Sequence, residues 1–93
     1  MNALLNLFTA SLGEDEDSVT ATIGASLYVR YANDPAVLKI TCQWQEVDAV
    51  KVTLQHIHPD LGPIDTASFT QTRSEKPMVA LERLEAYRQI WFV

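Results

Sequence analysis

The 93-residue sequence predicts an α+β domain: a two-layer sandwich in which an antiparallel meander of about five strands carries an N-terminal and a C-terminal helix on one face. Three observations predict it. Apolar residues recur at helical spacing at both ends of the chain, and through the middle they alternate with polar ones. The turn clusters between the alternating stretches are too short for the crossovers of a parallel sheet. A helix with one apolar stripe must bury it, and the sheet face is the surface that can cover it. The length supports one modest core, so residues 1–93 are expected to form a single domain.

Residues 2–12 place Leu4, Leu5, Leu7, Phe8 and Leu12 at helical spacing with Asn2, Asn6 and Thr9 opposite, and Gly13 stands as a stop. Glu14, Asp15, Glu16 and Asp17 follow as an acidic connection. In 18–23, Val19, Ala21 and Ile23 alternate with Ser18, Thr20 and Thr22, the pattern of a half-buried strand with its apolar set turned to the core. Gly24, Ala25 and Ser26 turn the chain. The next strand, 27–32, offers Leu27, Val29 and Tyr31 to the core, and 37–44 offers Leu38, Ile40, Cys42 and Trp44. Asn33, Asp34, Pro35 and Ala36 form the turn between them. Residues 48–57 fit either period, but β-branched residues dominate and a helix would leave Val52 in water, so a strand is expected. The prolines and glycine of His58–Pro63 read as a loop. Residues 64–72 make a fifth, edge strand with Ala67 and Phe69 inward and Thr66, Ser68 and Thr70 outward.

From Pro77 to Val93 good helix formers dominate, and Pro77 suits a first turn, where a missing N–H is tolerated. Ala80, Leu81, Leu84, Tyr87 and Trp91 form one stripe, with Glu82, Glu85 and Gln89 opposite. Arg88 edges the stripe within reach of Glu85 three residues earlier. Ile90 to Val93 are four consecutive apolar residues and cannot all face the sheet. Two outcomes are open: Ile90, Phe92 and the edge from Ile64 to Thr72, Phe69 included, form an interface with a second copy or another protein, or the tail tucks into the domain's own core.

Hydrophobic content of 47% and charged content of 20% are those of an ordinary globular protein. The net charge of −5 is local, because residues 14–17 hold four of the 12 acids and the rest of the chain sets 8 acids against 7 bases. A mimic of the nucleic-acid backbone would spread its carboxylates along a whole face. The single Cys42 excludes an internal disulfide and fits a reducing compartment. No Lys or Arg precedes the apolar N-terminal run, as a secretory signal would require, and no stretch reaches membrane-spanning length. A cytoplasmic protein is expected.

If the apolar alternates point inward, the open sheet face carries Tyr28, Arg30, Lys39, Thr41, Gln43, Lys51, Thr53 and Gln55, three cations and no acid. A four-residue loop at 33–36 would set Arg30 opposite Lys39, a like-charge pair that an anionic partner would relieve. The run His56, Ile57, His58, Pro59, Asp60 has the His-x-His-x-Asp spacing and resembles the metal-binding motif of metallo-β-lactamase-fold hydrolases over those five residues. It lacks that motif's second histidine after Asp60, and the chain is too short for that fold, so no metal is expected; His56 reads instead as closing the core at a strand end. Cys42 on the inner face reads as a small buried hydrophobe. A glycine-rich phosphate loop and a nucleophile elbow are both missing, and Tyr28 alone offers an aromatic ring for stacking on RNA. By elimination the expected function is a non-catalytic protein-interaction module, of the small inhibitor, immunity or phage accessory kind, with no cofactor. Binding of nucleic acid or another polyanion through Arg30, Lys39, Lys51 and Tyr28 is the alternative, and a metal-dependent enzyme ranks third.

Overall fold

The computed structural model describes residues 2–14, 17–32 and 34–92. Its elements run α1 (Asn2–Gly13), β1 (Ser18–Ile23), β2 (Ser26–Tyr31), β3 (Val37–Glu46), β4 (Ala49–His58), β5 (Gly62–Thr72) and α2 (Pro77–Trp91). The five strands form one antiparallel sheet in the order β1-β2-β3-β4-β5, so each strand pairs only with its neighbours in sequence. The segment from 49 to 58 is a strand, as its β-branched residues require. Among the described residues, no helix is long and apolar enough to cross a membrane. Of the acidic connection, Asp15 and Glu16 lie outside the described residues, as do Asn33 and Val93.

The core lies between one sheet face and both helices. Leu5, Phe8 and Leu12 of α1 and Ala80 and Leu84 of α2 pack with Leu27, Val29, Leu38, Ile40, Cys42, Val52 and Leu54 of the central strands, all of them buried. Phe8, Leu27, Val29, Leu38, Ile40, Val52 and Leu54 are fully sealed from water, and truncating one of the larger ones to alanine costs about 2–5 kcal/mol. The stripe at Leu81, Tyr87 and Trp91 lies partly buried against the same cluster. At the far end of α1, the Ser18 hydroxyl donates to the Leu12 carbonyl at 2.7 Å, satisfying one of the helix's unpaired oxygens and fixing the entry into β1.

Three local readings are corrected. The first concerns β1. The two-residue turn at Gly24 and Ala25, with Gly24 at φ +60°, pairs Ile23 with Ser26. That register sets Val19, Ala21 and Ile23 beside Arg30, Tyr28 and Ser26, while Thr20 and Thr22 share the core face with Val29 and Leu27. Leu27 and Val29 fill the core, so β1 must present its apolar set to the open face, where Val19 is 70% and Ile23 68% exposed.

The second concerns Arg30 and Lys39. Arg30 pairs with Val37 and Lys39 with Tyr28, because the β2–β3 connection is longer than four residues and Ala32 donates its N–H back to the Asp17 carbonyl at 2.7 Å. The Asp34 carboxylate accepts the Ala36 N–H at 2.9 Å and shapes this turn. Arg30 and Lys39 are therefore not opposite each other, and the Lys39 ammonium sits 5.6 Å from the Tyr28 ring centre.

The third concerns β5, which starts at Gly62, two residues before Ile64, with Gly62 at φ +76° and Pro63 tolerated on an edge strand.

Candidate functional site

The open sheet face is built from side chains that the strand register places in rows. One row runs Ala21, Tyr28, Lys39, Gln55, Thr66, and a second runs Val19, Arg30, Val37, Ile57. A third runs Ile23, Ser26, Thr41, Thr53, Ser68, where the Ser26 and Thr41 hydroxyls lie 3.0 Å apart, and Gln43, Lys51 and Thr70 form a fourth. None of these residues is acidic. Thr70 also donates its hydroxyl to Gln45 at 3.1 Å, extending the polar end of the face beyond the irregularity between Trp44 and Glu46. The structure therefore brings Arg30, Lys39, Lys51 and Tyr28 onto one surface and adds a flanking apolar strip, Val19 and Ile23, that the expected inward phase of β1 concealed.

The two histidines of the His-x-His-x-Asp run make structural contacts. His56 is buried on the core face, its Nδ1 3.3 Å from Asp65 across the β4–β5 pair. Its ring stacks on Trp91 at 6.0 Å between centroids and meets Phe92 at 4.6 Å. His58 Nδ1 accepts the backbone N–H groups of Asp60 at 3.1 Å and Leu61 at 3.3 Å, holding the β4–β5 turn. Among the described residues, no group of three His, Cys, Asp or Glu side chains comes together. Cys42 is sealed opposite Val52, and burial pushes its thiol up to about 11, so at neutral pH it stays protonated and is a poor nucleophile.

The C-terminal interface residues divide. Ile90 is 71% exposed, but Phe92 packs inward, its ring 5.3 Å from Tyr31 as well as against His56, and its N–H donates to the Arg88 carbonyl at 2.9 Å. Phe69 lies opposite Val52 on the core face, under the Arg83 guanidinium at 5.5 Å. Ile90, Phe92 and Phe69 thus form no shared patch, because a residue following the last turn of α2 can fold onto the sheet and the inward parity of β5 carries Phe69 away from its edge. Arg88 pairs with Glu85 through two hydrogen bonds and covers the Tyr31 ring at 5.9 Å.

A groove of about 410 Å³, absent from the sequence pattern, opens between Leu4 and Leu7 of α1 and Trp44, Val47 and Val50 around the β3–β4 turn. Trp44 has the inward parity expected of it, opposite Val50, yet it is not core: it is 59% exposed on the groove wall. Compared with known proteins, the chain matches no family model, no curated protein and no solved structure.

Proposed function

We propose that this protein is a non-catalytic interaction module that docks an acidic protein surface on its open sheet face. One observation carries the reading: in a chain of net charge −5, the four rows that hold Arg30, Lys39, Lys51 and Tyr28 carry three cations and no acid. Charge segregated against the overall balance steers an oppositely charged partner and sets its orientation. The row Val19, Arg30, Val37, Ile57 adds apolar contact on both sides of one cation, the mixture that a protein interface uses at its centre. Nucleic acid is less well served, since three cations would release few counterions and one tyrosine gives a single stacking platform. Small inhibitors, immunity proteins and phage accessory proteins work through docking of this kind, with no chemistry of their own.

The test is a triple substitution, Arg30→Gln, Lys39→Gln and Lys51→Gln. All three side chains lie on the open face with no ion pair to lose among the described residues, so the variant is expected to keep its melting temperature. Wild-type protein is expected to retain a partner from nuclease-treated native lysate in a salt-sensitive way, and the variant to lose it. Retention unchanged by the triple substitution would sink the reading. Low-salt binding of an oligonucleotide by wild type, lost in the variant, would reassign the face to nucleic acid.

A further inference from the structure

The two edges of the sheet are treated differently. On β5, the Thr70 carbonyl accepts a hydrogen bond from Arg83 at 3.0 Å and the Thr72 N–H donates to Glu75 at 3.0 Å, so groups from α2 and its approach occupy backbone positions of that edge. Pro63, the exposed Asp65 and a register shift between His56 and Ile57 interrupt the rest. These are the devices that keep an edge from pairing. β1 differs in composition and regularity. Its six residues, Ser-Val-Thr-Ala-Thr-Ile, carry no charge and no proline, and its pairing with β2 runs without a bulge from Ser18 to Ile23.

We propose that β1 is the seam of a homodimer, in which β1 of one copy pairs antiparallel with β1 of a second about a two-fold axis at Ala21, giving a continuous ten-stranded sheet. The register follows from the side chains. With Ala21 facing Ala21 of the second copy, Val19 faces Ile23 and Ile23 faces Val19 on the open side, while Thr20 faces Thr22 on the helix side. All three outward apolar residues then gain an apolar cross-strand partner. A shift by two residues sets Ile23 against Asp17 in one direction and Val19 against Ala25 of the turn, outside the strand, in the other, and a shift by one sets apolar residues against threonines of the other face. A two-fold contact must be self-complementary, and this six-residue strand is.

Charge agrees with the pairing. The axis sets Asp17 opposite Ala25 of the second copy, eight residues along the strand from the other Asp17, or about 26 Å. The two Asp17 residues therefore sit at opposite ends of the seam, beyond the screening length of about 8 Å at physiological salt. α1, which packs over β1 and β2, holds no charged residue in its 12 positions, so two such helices approach across the axis without like-charge repulsion. The exposed α1 side chains include the small residues Ala3, Ala10 and Ser11.

Sedimentation equilibrium is expected to give the dimer mass for wild type. The V19K/I23K variant places lysine against lysine at both outer pairs and is expected to be monomeric with an unchanged far-ultraviolet spectrum, since both positions are mostly exposed in the single chain. V19K/I23E sets each introduced lysine against an introduced glutamate of the other copy and is expected to restore the dimer. Ala21→Cys is expected to form an intermolecular disulfide faster than Val19→Cys, with buried Cys42 taking no part. A monomeric wild type at its highest soluble concentration overturns the proposal, as does a V19K/I23K variant that remains dimeric. Equal cross-linking rates at positions 21 and 19 overturn the register. Should V19K/I23K fail to fold, the mass of V19K/I23E and the cross-linking rates decide. None of these readings depends on whether the open face binds an acidic partner.

Discussion

Glu75 joins the end of the sheet to the start of α2: its Oε1 accepts the Thr72 N–H at 3.0 Å and the Thr72 hydroxyl at 3.1 Å, and its Oε2 lies 2.9 Å from Arg83. The Thr72 backbone N–H, and after it the Thr72 hydroxyl and Arg83, hold its carboxyl below the ordinary glutamate value. A carboxylate whose value is lower folded than unfolded contributes stability that is full above the unfolded value, about 4.3, and is lost as pH falls through the folded one. Glu75→Gln is accordingly expected to lower the melting temperature at pH 7 and to converge with wild type as the pH falls through the folded value, as scanning calorimetry over a pH series would show. A constant difference across that range would assign the loss to shape and not to charge. From the sequence, Glu75 is visible only as an acid ahead of a helix. Its bonds to Thr72 depend on where β5 ends, whereas the Arg88–Glu85 pair is legible because helical spacing alone brings the two together.

At the scale of elements, α2 shows what periodicity determines and what it leaves open. Spacing identifies Ala80, Leu81, Leu84, Tyr87 and Trp91 as its inward stripe, and the structure buries Ala80 and Leu84 and leaves the other three half-buried against the core. Spacing is silent beyond the last turn, where Phe92 leaves the helix and settles between Tyr31 and His56. Phe92→Asp would put a carboxylate against those rings and is expected to destabilise the protein by about 2 kcal/mol in urea titration, while Ile90→Asp stays within about 0.5 kcal/mol. Equal effects at the two positions would contradict the inward placement of Phe92. β1 was illegible for a different reason. Its alternation reads the same whichever side is core, and only the two-residue turn at Gly24 and Ala25 selects the phase. Likewise the distance from β2 to β3 depends on how Ala32 is bonded, so the residues opposite Arg30 and Lys39 could not be read from turn chemistry alone.

For the whole molecule, the seven elements and their order follow from the alternation of periods and the shortness of the connections, and the absence of acids from the rows of Tyr28, Arg30, Lys39 and Lys51 follows from strand parity. The groove beside Trp44 does not, since it depends on how far α1 extends over the β3–β4 turn. The strict neighbour pairing of the strands also governs how the chain finds its structure. Every ladder closes a hairpin, two of them across turns of only two residues, so little chain entropy is lost before each pairing forms. The β3–β4 hairpin, with two ten-residue strands, is the natural nucleus, and α1 and α2, which meet across the length of the chain, dock afterwards. Leu54→Ala is then expected to slow refolding in stopped-flow experiments, whereas Leu5→Ala chiefly speeds unfolding, although each lies in the core and costs about 2–5 kcal/mol at equilibrium. The reverse partition would place the nucleus in the helices. If the hairpin leads, the inward side chains of its strands, Leu38, Ile40, Val52 and Leu54, stay exposed to other chains until the helices cover them, and the rate of helix docking limits the time for which a nascent molecule can be captured by its neighbours.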